Sequence, residues 1–205
     1  MLSFLLGGVL VKLQSQFNLQ VAQSNWWKSN EPIVIAVSTG VDSMVLLHLI
    51  QQLKQYHPQI TVAHVNHQLR KQSEDEEQYL RDYCNEHQLQ LVVKRWEHGK
   101  ISSGMEAQAR KFRYQFFKEV MQKTGSKVLV TAHQQNDQAE TVLMKLVRSG
   151  NLKEVAGIKP VRKFAGGKLI RPLLKVRRSE IESYAITNQI HWFEDETNHD
   201  LAMRR

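Results

Sequence analysis

Six residues, Ser38-Thr39-Gly40-Val41-Asp42-Ser43, stand between the apolar run Ile33 to Val37 and a second apolar run, Met44 to Leu49. Small hydroxyl residues and a glycine that join a strand to a helix make a turn whose backbone N–H groups can cradle phosphate oxygens, with the helix dipole behind them. Gly40 is expected to supply a positive φ in that turn. A kinase-type phosphate loop carries a lysine before its Ser/Thr, whereas Ser43 here follows the carboxylate of Asp42. An anion beside a phosphate requires a cation between them. Asp42 is therefore a candidate Mg²⁺ ligand, since Mg²⁺ is usually held by one or two carboxylates together with the phosphates.

Three further clusters carry side chains capable of chemistry. His64 and His67, in Ala63-His64-Val65-Asn66-His67-Gln68-Leu69-Arg70, and His133, in Thr131-Ala132-His133, could ligate a metal or hydrogen-bond a nucleotide. No third acidic or cysteine ligand stands at a typical zinc spacing, which favours hydrogen bonding. Arg110 and Arg113 lie three apart in Glu106-Ala107-Gln108-Ala109-Arg110-Lys111-Phe112-Arg113-Tyr114. That spacing puts both guanidinium groups on one helix face, either as a solvated surface or as a clamp for phosphate. Asp137 and Glu140 are also three apart, at the start of a helical stretch. They could merely complement a helix dipole, or they could converge on an amine or a second metal contact.

These clusters need a scaffold that brings them to one edge. After Pro32, short β-branched runs (Ile33 to Val37, Ile60 to Val65, Leu89 to Trp96, Lys127 to Ala132) alternate with longer amphipathic stretches (Asp42 to Tyr56, Ser73 to His87, Met105 to Thr124, Asn136 to Arg148). Such alternation predicts an α/β fold, a doubly wound and mostly parallel sheet with helices on both faces. The polar clusters follow the first, second and fourth runs, which is where such sheets bind ligands. Ser73-Glu74-Asp75-Glu76 has the form of a capping box. From Ser149 on, glycines and prolines predict a loop-rich section before a final helix near Ser179. The expected organisation is an N-terminal segment over 1–30 with no assigned role, a core over 31–150, and a loop-rich and helical remainder over 151–205.

A formal net charge of +8 favours a polyanionic partner. The single cysteine, Cys84, excludes an internal disulfide and a Cys-x-x-Cys site, and helical spacing makes it a buried small hydrophobe rather than a nucleophile. The apolar start, Met1 to Val11, lacks a basic n-region and a cleavage site. It is also shorter than the ~20 residues that span a bilayer. It is expected to be an extra segment or a short helix packed on the domain, in a protein with no membrane association.

Taken together, Ser38-Thr39-Gly40-Val41-Asp42-Ser43, the Ala63 to Arg70 segment, Glu106-x-x-Ala109-Arg110-x-x-Arg113-Tyr114 and Thr131-Ala132-His133-x-x-Asn136-Asp137-Gln138-Ala139-Glu140-Thr141 resemble the tRNA(Ile)-lysidine synthetase family. That family belongs to the N-type ATP pyrophosphatase superfamily, whose fold is adenine-nucleotide alpha-hydrolase-like. Arg171-Pro172-Leu173-Leu174, Arg178-x-Glu180-Ile181-x-x-Tyr184 and Trp192-Phe193-Glu194-Asp195-x-Thr197-Asn198-x-Asp200 resemble the same family in the same order. The resemblance runs from about Pro32 to Asp200. It departs at Thr39, where the family carries glycine, and at Asn136, where it carries aspartate. The family also usually continues into further RNA-contacting residues, so the tail is expected to be truncated.

The resemblance implies a cytoplasmic ligase of tRNA processing that uses ATP and Mg²⁺ to join free L-lysine to the wobble cytidine of the isoleucine tRNA with a CAU anticodon. The cytosine is first adenylated with release of pyrophosphate, and the lysine ε-amine then displaces AMP. It implies catalytic roles for Asp42, Arg113 and Asp137, and ATP contacts from Ser38, Thr39, Gly40, Val41, Asp42, Ser43, His64 and His133. Lysine contacts fall to Asp137 and Glu140, tRNA contacts to His67, Arg70, Arg110, Arg171 and Arg178, and the Mg²⁺ ligand to Asp42. Oligomeric state stays open, with a homodimer as the candidate. The rivals are a thiolase-type ATP pyrophosphatase acting on tRNA, against which the lone Cys84 argues, and a catalytically silent nucleotide- or RNA-binding domain. A small-metabolite synthetase linked to an amidotransferase would bring a glutaminase domain, for which no sequence is present.

Overall fold

The computed structural model describes residues 2–68, 72–97, 104–149 and 157–194, without the side chains of 2–11 and 148–149. Six strands form one sheet in the order β3-β2-β1-β4-β6-β5. They are β1 (Pro32–Ala36), β2 (Gln59–Asn66), β3 (Gln90–Arg95), β4 (Val128–Val130), β5 (Val161–Phe164) and β6 (Gly167–Ile170). All neighbours run parallel except β5, which pairs antiparallel with β6. The helices are α1 (Leu2–Ser24), α2 (Val41–Gln51), α3 (Gln72–Glu86), α4 (Met105–Thr124), α5 (Gln135–Ser149) and α6 (Arg178–Thr187).

The central strands are apolar at successive positions because both faces are covered. Ile33 and Ile35 of β1 join Val62, Val128, Val130 and Ile170 in one core, with α2, Leu80 and Cys84 of α3, and Ile181 and Tyr184 of α6. Val34, pointing the other way, joins Ala63, Leu129 and Leu169 against Phe116, Phe117, Val120 and Met121 of α4. The expected doubly wound sheet is therefore present. From β1 the chain steps outward through β2 and β3, then returns to place β4 on the other side of β1. That reversal leaves a crevice between the loops that follow β1 and β4, the place where open α/β sheets bind ligands.

Two segments go beyond the sequence reading. The N-terminal segment forms a single helix, α1, whose Leu13, Phe17 and Val21 recur every fourth residue and enter the same core as β1. Gln14 ties it down, donating to the Leu49 carbonyl and accepting from Tyr184 Oη at 2.7 Å. The section expected to be loop-rich contains the β5–β6 hairpin. Its two-residue turn, Ala165 (φ 49°) and Gly166 (φ 76°), has both φ values positive, the geometry that matches strand twist in a tight hairpin. Gly167 then lets β6 approach β4: a Cβ there would lie 2.1 Å from the Lys127 carbonyl oxygen. No helix among the described residues is long and apolar enough to cross a membrane.

Candidate active site at the strand switch point

Ser43, in the first turn of α2, draws the loop after β1 into a tight turn. Its Oγ accepts from the Ser38 N–H at 3.1 Å and donates to the Gly40 carbonyl at 2.9 Å. The same carbonyl accepts from the N–H groups of Ser43 and Met44. The amides of Val41 and Asp42, at the start of the helix, have no acceptor within it and suit an incoming anion. The positive φ expected at Gly40 belongs instead to Thr39 (φ 66°), while Gly40 is extended at φ −69°. A β-branched residue in the left-handed region is held there by its surroundings. Thr39 is fully buried, its Oγ1 donates back to the Ser38 carbonyl, and its own carbonyl accepts from the Phe193 N–H at 3.1 Å. The Cβ is thus packed into the protein. Val41 likewise sends its side chain into the core, so only its backbone can serve a ligand.

Beside the loop, a cleft of about 470 Å³ is lined by Ser38, Thr39, Gly40, Asp42 and Ser43 on one side and by Arg110, Arg113, Tyr114, His133 and Asp137 on the other. Asp42 is its most unusual group. Oδ1 is buried with no hydrogen-bond partner, and Oδ2 has only Arg178 Nη1 at 3.4 Å. Burial pushes the carboxyl up to about 6, Arg178 partly offsets this, and the nearby Asp137 and Glu182 raise it further. A half-satisfied carboxylate beside a second carboxylate and an anion nest fits a divalent cation. Among the described residues no group of three or more His, Cys, Asp or Glu side chains could enclose a metal alone, so phosphate oxygens would complete the shell.

The opposite wall is cationic. Burial lowers the Arg113 guanidinium below its ordinary value, and Arg110 adds to this. Arg110 lies over the Tyr114 ring at 4.9 Å, as does Arg162 of β5 at 5.3 Å. Burial would raise the Tyr114 phenol, but Arg110, Arg162 and Arg171 together bring it below its usual range. His133, whose Nδ1 pairs with Thr131 Oγ1 at 2.9 Å, is pushed down to about 4 by burial and by Arg171, so it is neutral near pH 7. His64 is also kept neutral, chiefly by burial, and its ring is fixed by Nδ1 on the Val37 carbonyl at 2.9 Å.

The third side is the loop after β2. Asn66 Nδ2 donates to Glu77 Oε2 at 2.8 Å and to the Ser73 carbonyl at 3.1 Å, and Asn66 Oδ1 accepts from the Gln68 N–H. Glu77 is only 3% exposed and also accepts from Arg81 and Arg95. Burial would raise its carboxyl, but the bonds from Asn66, Arg81 and Arg95 outweigh that and hold it at about 2. His67 lines the cleft edge-on to Trp96, with ring centroids 5.6 Å apart.

Several expected site residues lie elsewhere. Glu140 is exposed on α5 and does not line the cleft. Asn136 is exposed as well, and its N–H is capped by Gln134 Oε1. Asp137 both reaches the cleft and caps its own helix, with Oδ2 accepting from the Gln134 N–H at 2.7 Å. Arg171, expected at RNA, is 4% exposed: it donates to the Lys159 carbonyl at 2.7 Å and backs Tyr114, which seals it from a surface ligand. Arg178, expected there too, is turned inward to Asp42. Arg70 lies outside the described residues, as does the final motif beyond Glu194. Asn66 as a lining residue, Glu77 beneath it and Tyr114 were not among the residues expected at the site. The available signal was Glu77 with Arg81 one helical turn later, and an aromatic directly after Arg113 and four residues after Arg110.

Comparison with known proteins bears on this geometry. The tRNA(Ile)-lysidine synthase of Lactiplantibacillus plantarum is 47% identical over 194 residues, 93% of this chain and 43% of that protein. The tRNA(Ile)-lysidine synthase of Enterococcus faecalis is 49% identical over 184 residues, 89% of this chain and 40% of that protein. The chain thus spans about two fifths of the length of the curated relatives it matches. Among solved structures, U34-tRNA thiolase NcsA from Methanococcus maripaludis superposes with a TM-score of 0.75 at 16% identity, over 90% of this chain and 65% of that one. NMN synthetase from Francisella tularensis gives 0.58 at 13%, over 87% and 70%. Likeness at such identities shows the fold alone. Cys84, the candidate thiol for a thiolase, is buried and pushed up to about 12 by burial, so it offers no thiolate. The nest between β1 and α2 and the cleft beside it lie within residues 11–205, the span that matches the PP-loop domain, and the chain belongs to that family.

Proposed function

We propose that this chain carries the ATP-dependent catalytic site of a tRNA(Ile)-lysidine synthetase, joining free L-lysine to the wobble cytidine of the isoleucine tRNA with a CAU anticodon. The observation that carries this reading is the half-satisfied Asp42 carboxylate at an anion nest, facing a wall of arginines across one cleft. The amides at the start of α2 would take the pyrophosphate of ATP, and Asp42 would hold Mg²⁺. When bound, Mg²⁺ would neutralise charge on the departing pyrophosphate. Arg113 would stabilise the charge developing on the phosphate that is transferred. Neutral His64 and His133 can accept hydrogen bonds from the nucleotide. Asp137 would receive an ammonium group of lysine, at the cleft mouth where α5 begins. Arg110, exposed on the rim, and His67 would meet the RNA, whose cytosine has to leave its stack to reach the site.

The similarity to lysidine synthases over most of this chain supports the reading, as does the net charge of +8, which suits an RNA backbone. The test is incorporation of labelled lysine with ATP, using the isoleucine CAU tRNA and a methionine CAU tRNA as control. Transfer to the first alone is expected. ATP binding with no transfer to either would favour a silent nucleotide-binding domain.

A further inference from the structure

Arg178 and Asp42 are 136 residues apart in sequence, yet Nη1 of the first lies 3.4 Å from Oδ2 of the second. The arginine is positioned by its helix. Ile181, Tyr184 and Ala185 bury one side of α6 in the core shared with α2, and Tyr184 Oη pairs with His48 Nδ1 of α2 at 3.0 Å. At the N-terminus of α6, Glu180 accepts from the Arg177 N–H. The guanidinium itself is loosely held. Its Nε donates to Glu182 Oε1 at 2.7 Å, and both side chains are about 40% exposed or more. Pairs this exposed contribute little.

The local charge explains what such an arm is for. Asp42, Glu182 and Glu194 all act on Arg178, so this flank of the loop carries three carboxylates. A helix N-terminus supplies only about half a unit of positive charge. A pyrophosphate seated there would meet like charge unless a cation on this flank turns towards it, and a guanidinium prefers two phosphate oxygens to one distant carboxylate oxygen. We propose that Arg178 is a pyrophosphate-binding residue: it balances Asp42 in the free protein and is exchanged onto a phosphate oxygen when a divalent cation takes the Asp42 carboxylate. This rests on the assignment of the Ser38 to Ser43 loop to pyrophosphate. It gives Arg178 to the nucleotide rather than to RNA.

The test measures binding of inorganic pyrophosphate with Mg²⁺ by calorimetry, and binding of the isoleucine CAU tRNA without ATP, on the full chain. Arg178→Gln should weaken pyrophosphate binding tenfold or more while leaving tRNA affinity within twofold. Arg178→Lys, which keeps the charge but not the fork, should fall between. Glu182→Gln removes the competing carboxylate and should bind pyrophosphate at least as tightly as the unmodified chain. Equal pyrophosphate affinity in Arg178→Gln, loss of tRNA affinity in its place, or weakened binding in Glu182→Gln would each overturn the proposal. Failure of the unmodified chain to bind pyrophosphate would instead remove the assignment of the loop, and the two failures are told apart by that control.

Discussion

Replacing Glu77 by glutamine removes one charge and almost no volume from the base of the cleft, which isolates the electrostatic contribution of a buried carboxylate. Its carboxyl is held at about 2, against an ordinary value of 4.5. At roughly 1.4 kcal/mol per unit, this difference corresponds to about 3 kcal/mol of folding stability at pH 7. Arg81 and Arg95, its charged partners, have side chains 50% exposed and regain water when the bond is lost, so about 2 kcal/mol is the expected loss. In a domain of this size that lowers the thermal midpoint by roughly 4–8 °C. The pH dependence has a definite sign. A carboxyl with a depressed folded value stabilises fully above 4.5 and loses its contribution as the pH falls towards 2, so the gap between the two proteins should shrink to roughly half or less by pH 3. Urea unfolding at pH 7 and pH 3 measures both. Asn66 loses its charged acceptor as well, so nucleotide affinity should fall alongside stability. Equal stability at pH 7, or a gap that does not close with acid, would show that the Glu77 carboxylate does not stabilise the fold.

Asp42→Asn should abolish pyrophosphate release yet stabilise the metal-free protein by about 2 kcal/mol: a carboxyl raised to about 6 from 3.8 costs about 3 kcal/mol once pH exceeds both values, and its 23% exposed side chain recovers part of that from water; a lower melting temperature in the variant would contradict this. Gly167→Ala drives a Cβ to within 2.1 Å of the Lys127 carbonyl oxygen, so β6 must separate from β4 at a cost of about 2–3 kcal/mol. Hydrogen exchange at the Lys168 amide, which donates to that carbonyl, should accelerate, and unchanged protection would count against the close approach. Thr39→Val keeps the strained φ of 66° and loses the bond to the Ser38 carbonyl, whereas Thr39→Gly relieves the strain. The glycine variant should be the more stable of the two by about 1 kcal/mol in urea unfolding, and the reverse order would show that Thr39 is not strained.

The scaffold was largely legible in the sequence. Uninterrupted apolar runs such as Ile33 to Val37 are what a parallel strand buried on both faces requires, and the polar clusters marked the strand ends that meet at the switch point. The β5–β6 hairpin was hidden because its strands have four residues each, and Gly166-Gly167 reads as loop although the first glycine makes a tight turn and the second permits strand contact. The chemistry of Asp42 was legible from what the loop lacked. The exchange of backbone roles between Thr39 and Gly40 was not, because residue preference places the positive φ on glycine, while the Phe193 amide and the packing around Thr39 decide the outcome. The destinations of Arg171 and Arg178 were equally hidden. An arginine in a basic protein reads as an RNA contact until packing shows one sealed behind Tyr114 and the other turned to a carboxylate far away in sequence.

In the proposed reaction this cleft cleaves ATP between its α- and β-phosphates on behalf of an RNA cytosine. Incubating the chain with Mg²⁺, the isoleucine CAU tRNA and ATP labelled in either the α- or the γ-phosphate, with and without L-lysine, and separating the labelled products, tests it directly. Pyrophosphate released only when the tRNA is present, with AMP appearing in equal amount once lysine is added as well, is the predicted result. ADP with inorganic phosphate, or AMP formation indifferent to tRNA, would contradict it.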